Sequence, residues 1–300
     1  MPTLSLNNGF AMKRWPEPEV WAELIANQMR VADVQLSLDL VDLSGPATWV
    51  EAQAARIRKA CANEGIVISS VFSGLVDYSA NMLLHPDGEM RLAALERYKR
   101  GIEFCALVGA DTFGGHMGAY SVADYGNPAR RQALAEEQLD HVSALSDHAG
   151  RAGLRYVLWE PMPVAREFPS TIAECLGHAE RFAGMGGATV AYCYDVGHAC
   201  RADLPEAEQD PYLWLTRLSH LSPIVHLQQT DGKRDYHWCF TEETNAIGII
   251  HPNVVQDTLA KATGSVVTHL TLEVFPPFEA EDEKVLADVI SSCNYWRGKT

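Results

Sequence analysis

Four residues able to hold a metal ion or move a proton stand at or near the ends of short apolar runs. Glu160 closes Leu154-Arg155-Tyr156-Val157-Leu158-Trp159-Glu160, and Asp195 closes Val190-Ala191-Tyr192-Cys193-Tyr194-Asp195. His226 sits within Ile224-Val225-His226-Leu227-Gln228, and Glu273 follows Leu270-Thr271-Leu272. The intervals between them are 35, 31 and 47 residues. Taken singly, each has an ordinary reading: a salt-bridged strand end, a turn or cap residue, a satisfied core histidine. The joint pattern is different. A charged group at the end of an apolar strand costs free energy unless it is paired or metal-bound. Three carboxylates brought to one place would repel one another without a cation. Oxygen-rich ligation with one imidazole suits one divalent ion, with Mn2+ the first choice and Mg2+, Co2+ or Zn2+ as alternatives.

The elements that must position these residues alternate along the chain. Strands are expected at Thr3–Leu6, Asp33–Asp39, Val67–Phe72, Thr112–Gly115, Leu154–Glu160, Thr189–Asp195, Ile224–Gln228 and Thr268–Val274. Helices are expected near Pro18–Met29, Ala47–Glu64, Gly88–Val108, Pro128–Ala152, Ser170–Gly184, Pro211–Leu221, Pro252–Ala262 and Glu281–Trp296. Ala47, Val50, Ala54, Ile57 and Cys61 share one helix face, as do Leu92, Leu95, Tyr98, Ile102 and Cys105. Pro18, Pro128, Pro211 and Pro252 stand at helix starts, where a missing N–H costs little. Ser170 resembles an N-cap, and Gly153, Gly184 and Gly264 mark helix ends. Eight strand–helix units in 300 residues predict a single α/β domain over 1–300, a (β/α)8 barrel with catalytic groups at the C-terminal ends of its strands. The runner-up, an open doubly wound sheet, is weakened by the lack of a GxGxxG after the first strand.

Composition narrows the function classes. The 39 acids against 24 bases give a formal charge of −15, which disfavours nucleic-acid or anionic-membrane partners. No apolar stretch approaches the roughly 18–20 residues of a membrane helix. Met1 to Phe10 lacks the basic start and greasy block of a secretory signal. Seven scattered cysteines without a CxxC fit a reducing, cytoplasmic setting.

The segments Trp159-Glu160-Pro161, Asp195-Val196-Gly197-His198, Val225-His226-Leu227 and Leu272-Glu273-Val274 resemble the xylose isomerase-like superfamily. The likeness runs from the first strand to the last helix and is nearest to its sugar-phosphate isomerase and ketose 3-epimerase branch, including tetrulose-phosphate 3-epimerases. It implies that Glu160, Asp195, His226 and Glu273 ligate one divalent metal and that Glu160 and Glu273 form the acid/base pair. The Asp-x-x-His element implies a substrate contact for His198. Departing from related members, this chain has Asn245-Ala246-Ile247-Gly248 where they carry a Gly-x-Gly turn.

The implied chemistry is proton transfer next to a carbonyl. A cation across the carbonyl and hydroxyl oxygens stabilises the ene-diolate, and general acid/base help contributes roughly 10²–10⁴-fold. Two carboxylates on opposite faces would invert the carbon, whereas one active carboxylate would give aldose–ketose isomerisation. The substrate is then a small ketose or ketose phosphate. His116, after the fourth strand, is a substrate-binding candidate. Lys233 and Arg234, after the seventh, are phosphate-binding candidates, and Arg166 is a further anion contact. The run Arg234–Glu243 reads as a lid or substrate wall, with Trp159, Phe72, Trp238 and Phe275 as aromatic lining. The rivals on the same scaffold are a dehydratase of an inositol-type ketone and a non-catalytic sugar-binding barrel. Phosphodiester cleavage by a three-metal cluster is disfavoured by the acidic charge. A homo-oligomer is compatible with the family, but no patch in the sequence assigns it.

Overall fold

The computed structural model describes residues 2–299. Eight strands close into a barrel in chain order: β1 (Thr3–Asn7), β2 (Asp33–Ser37), β3 (Val67–Phe72), β4 (Thr112–Gly115), β5 (Tyr156–Trp159), β6 (Thr189–Asp195), β7 (Ile224–Leu227) and β8 (His269–Leu272). Every neighbouring pair is parallel, including β1 with β8. Parallel neighbours require a crossover. The chain supplies one at each step, the longest helices being Ala47–Glu64, Gly88–Val108 and Pro128–Arg151. This is the (β/α)8 barrel that the alternation predicts.

The helix boundaries follow local chemistry. Asp87, Asn127 and Asp210 each accept a backbone N–H from the first turn of the helix they precede. Four helices open on Pro18, Pro128, Pro211 and Pro252. The fifth outer helix starts at Ile172 and its cap is Thr171, not Ser170. Glu174 explains the shift: its N–H bonds Thr171 Oγ1, while its carboxylate reaches back to the Ser170 N–H. Helix Pro18–Glu23 continues as a π-turn over Leu24–Met29. Leu92 is exposed, so the buried apolar stripe of Gly88–Val108 begins at Ala94 and Leu95.

Alternation along the strands divides the core. Leu158, Ala191, Cys193 and Ile224 form one apolar cluster with Phe72. With period two, Glu160 shares a side with Leu158, Asp195 with Cys193, and His226 with Ile224. The interior layer therefore forms an apolar floor beneath the candidate ligands. The fourth strand admits this packing because it ends Gly114-Gly115: a Cβ at Gly114 would lie 2.6 Å from Leu158 Cβ. Outside the barrel, Phe113 presses its ring into helix Gly88–Val108 at Gly101 and meets Tyr98 edge-on at 6.2 Å. All seven cysteines are free. No described helix is long and apolar enough to cross a membrane.

Because Phe113 is fully buried in that sheet–helix layer, Phe113→Ala is expected to destabilise the fold by about 3–5 kcal/mol. A denaturant midpoint equal to that of the wild type would show that the layer does not limit stability.

Candidate active site

Two of the four candidate ligands lie one step past their strands. Extended backbone carries them there, the Glu160 N–H donating to Gly115 O (3.1 Å) and the Glu273 N–H to Leu227 O (3.0 Å). Asp195 ends β6 and pairs in register with His226 on β7. Barrel closure brings all four together. Each offers one ligand atom, and these atoms lie within 4.8 Å of one another. All four side chains are buried.

The imidazole stands between the two glutamates. His226 Nδ1 is 3.3 Å from Glu160 Oε1 and 2.9 Å from Glu273 Oε2. Its other nitrogen, Nε2, meets Gln35 Oε1 at 2.8 Å. That amide oxygen also accepts from Asn7 Nδ2, so it takes the Nε2 proton and leaves Nδ1 as the atom facing the two glutamates. Asn7 Nδ2 also donates to Glu273 Oε1 (3.1 Å). Asp195 Oδ1 accepts from the Gly197 N–H (2.6 Å) and from Gln228 Nε2 (3.0 Å). What remains is Glu160 Oε1, Asp195 Oδ2 and His226 Nδ1, all buried without a hydrogen-bond partner. Three bare donor atoms of this kind, oxygen-rich with one nitrogen, fit a divalent cation.

Burial and neighbours drive the two glutamates apart. Desolvation pushes the Glu160 carboxyl up. Burial acts on Glu273 in the same sense, but the histidines around it, His226 foremost, outweigh it and hold that carboxyl below its ordinary range.

A cavity of about 110 Å³ opens onto Glu160 and Glu273. Phe72, Leu75, Met162 and Phe275 give it apolar walls, and Tyr78, His116, His198, Asp235 and His237 line it as well. His198 Nδ1 bonds Pro161 O at 2.8 Å, which directs Nε2 toward Asp235 Oδ2 at 3.4 Å. Both ring nitrogens of His116 lack a partner, and burial holds its pKa down at about 4, so the ring is neutral. Trp159 is buried against His178, and Trp238 stacks on Tyr236; neither lines this cavity.

The loop after β7 is a wall, as the sequence suggests, but different residues face inward. Asp235 and His237 line the cavity, whereas Lys233 and Arg234 are exposed and do not. Lys233 Nζ pairs with Asp231 at 3.2 Å. Arg166 Nη1 donates to Tyr120 O at 2.9 Å. Burial opposes a charge on His237, yet Asp235 beside it raises its pKa to about 10. Asn7, Gln35 and Gln228 carry no role in the sequence reading, and Asp235 and His237 enter it only as members of the wall segment Arg234–Glu243. The available signal was polarity at the ends of β1, β2 and β7, where apolar packing is the norm.

Comparison with known proteins places this architecture. The xylose isomerase-like TIM barrel family matches residues 28–285. The D-erythrulose 1-phosphate 3-epimerase of Brucella abortus is 29% identical over 296 residues, 98% of this chain and 95% of that protein. A crystal structure from Rhodospirillum rubrum, provisionally named a xylose isomerase, superposes with a TM-score of 0.90 at 33% identity, covering 98% of both chains. A D-psicose 3-epimerase from Clostridium cellulolyticum shares the fold at a TM-score of 0.73 and 12% identity, with 98% of each chain covered. The chain belongs to the xylose isomerase-like TIM-barrel family and is an enzyme of its sugar epimerase and isomerase branch.

Proposed function

We propose that this enzyme is a divalent-metal-dependent ketose 3-epimerase acting on a short ketose phosphate, with a tetrulose 1-phosphate as the leading substrate. The observation that carries the reading is the pair of buried glutamates on either side of His226, facing one small cavity. The likeness to the Brucella abortus enzyme, over nearly the whole of both chains, supports the substrate class.

Glu160, Asp195, His226 and Glu273 would hold the ion. Bound there, a divalent cation would draw charge from the ketose carbonyl and hydroxyl oxygens and stabilise the ene-diolate left by deprotonation. The remaining work falls to the chain itself. Glu273 accepts the proton from the carbon next to the carbonyl in one direction of the reaction. Glu160 returns one from the opposite face, and the reverse reaction exchanges the roles. His198, its ring fixed by Pro161 O and its Nε2 beside the Asp235 carboxylate, donates from Nε2 to a substrate oxygen, and neutral His116 accepts from a substrate hydroxyl on the β4 side. Phe72, Leu75, Met162 and Phe275 exclude water from the reacting carbon. No lysine or arginine is among the cavity-lining residues. A phosphate would therefore be held at the rim, where Lys233 and Arg234 are exposed cations on the loop that carries Asp235.

In D2O with Mn2+, turnover of a tetrulose 1-phosphate should place solvent deuterium on the inverted carbon, read by NMR or mass spectrometry. Absence of uptake across tetrulose to hexulose phosphates would remove the proton-transfer reading and leave a binding barrel. Glu160→Gln and Glu273→Gln should each lower kcat by at least about 10²-fold while keeping the wild-type melting temperature. An active variant loses its residue the acid/base role. Lys233→Ala combined with Arg234→Ala should raise KM for the phosphorylated ketose several-fold and leave that for the free ketose unchanged. Equal effects on both substrates would discard the phosphate contact.

A further inference from the structure

One fully buried side chain touches both the candidate metal centre and the loop that walls the cavity. Gln228 is the first residue past β7. Its Nε2 donates to Asp195 Oδ1 at 3.0 Å and to Asp235 Oδ1 at 2.5 Å. Its Oε1 accepts the backbone N–H of His237. One amide therefore holds a candidate ligand on β6 and two positions of the loop after β7, both of which line the cavity.

The consequences at Asp195 are specific. With Oδ1 already taking the Gln228 and Gly197 donors, Oδ2 is the atom left bare. The loop side is equally constrained. Asp235 faces His198 Nε2 at 3.4 Å and His237 Nε2 at 3.2 Å, so its carboxylate is the second contact of two rings whose Nδ1 atoms are held by Pro161 O and Glu273 O. Gly197 backs the arrangement, because a Cβ there would fall 2.3 Å from Gln228 Cδ. Any side chain at 197 would push the amide out of its position.

We infer that Gln228 is a positioning residue that couples ion occupancy at Asp195 to the placement of the Asp235–His237 wall. An amide is suited to this task because it donates to two carboxylates at once and still accepts a backbone N–H. An apolar side chain would remove one donor from each carboxylate and leave the His237 N–H without its acceptor. An ion held by Asp195 would fix that carboxylate, and through it the Gln228 amide and the wall. The inference rests on the metal reading of the Glu160–Asp195–His226–Glu273 cluster and goes beyond it, because it assigns the ion a second effect on the substrate cavity.

The test uses the full chain and Mn2+ alone as the probe, with calorimetric titration and hydrogen exchange of segment 229–238 with and without the ion. The wild type should bind one Mn2+, and binding should slow exchange in that segment. Gln228→Met should weaken Mn2+ binding by about 10–100-fold and abolish the ion-dependent protection, at a folded fraction matched by circular dichroism. Gly197→Ala, which keeps the amide but displaces it, should act in the same direction. A merely structural role would lower the melting temperature and leave the Mn2+ Kd and the ion-dependent protection of the folded protein unchanged; that result in both variants overturns the inference. A wild-type chain that binds none of Mn2+, Mg2+, Co2+ or Zn2+ overturns the metal reading itself, and the coupling with it.

Discussion

Three buried carboxylates and one imidazole are packed so that their ligand atoms lie within 4.8 Å, with no lysine or arginine lining the cavity beside them. Like charges at that range in a poorly solvated site are costly, and replacing such groups with apolar residues is often neutral or stabilising. The surroundings do not relieve the repulsion; they organise it. Asn7 donates to the outer oxygen of Glu273, and Gly197 and Gln228 donate to Oδ1 of Asp195. Gln35 takes the outer proton of His226. The contacts to Asp195 and His226 leave one inner atom of each, Oδ2 and Nδ1, without a partner, and these converge with Glu160 Oε1. A hydrogen-bond network arranged for stability alone would place donors on the inside.

The fold separates what holds these atoms from what surrounds them. The candidate ligands sit on strand ends, anchored by the ladder and by an apolar floor of Phe72, Leu158, Ala191, Cys193 and Ile224. The cavity walls come from loops: Ser73–Tyr78 after β3, Asp235 and His237 after β7, and Phe275 after β8. Rigid strands suit a cluster whose geometry tolerates little error, and loops suit the reading of a substrate that varies in length and charge. On this division the chemistry at the reacting carbon is a property of the barrel, and the choice of sugar is a property of the loops.

The same division decides what could be read from the amino-acid order. Glu160, Asp195, His226 and Glu273 were legible because period-two alternation in apolar strands fixes which residues share a face, and the strand ends point to one mouth. The barrel was legible for the same reason. Asn7 and Gln35 were not, because a polar residue in a strand carries no sign of which neighbour it will bond once the barrel closes. Lys233 and Arg234 show the limit in loops: their nearness in sequence to β7 says nothing of direction, and the turn at Asp231-Gly232 points them to solvent while Asp235 and His237 turn inward. The cap at Thr171 was missed by one residue because Glu174 serves both Ser170 and Thr171.

The placement of the two glutamates bears on stereochemistry. Glu160 follows β5 and Glu273 follows β8, three strands apart around the mouth, with His226 on β7 in contact range of both. A planar three-atom unit of a ketose lying over the cluster would then present one face to each carboxylate. Transfer from one face and return on the other inverts the carbon, whereas return to the neighbouring atom by the same carboxylate moves the carbonyl instead. Two buried carboxylates on either side of one imidazole and facing one cavity suit the first course, in line with the proposed function. A single carboxylate shuttling a proton between adjacent atoms needs no second carboxylate across the site. A proton acceptor and a proton donor on opposite sides of one site are the two requirements of epimerisation through a planar intermediate.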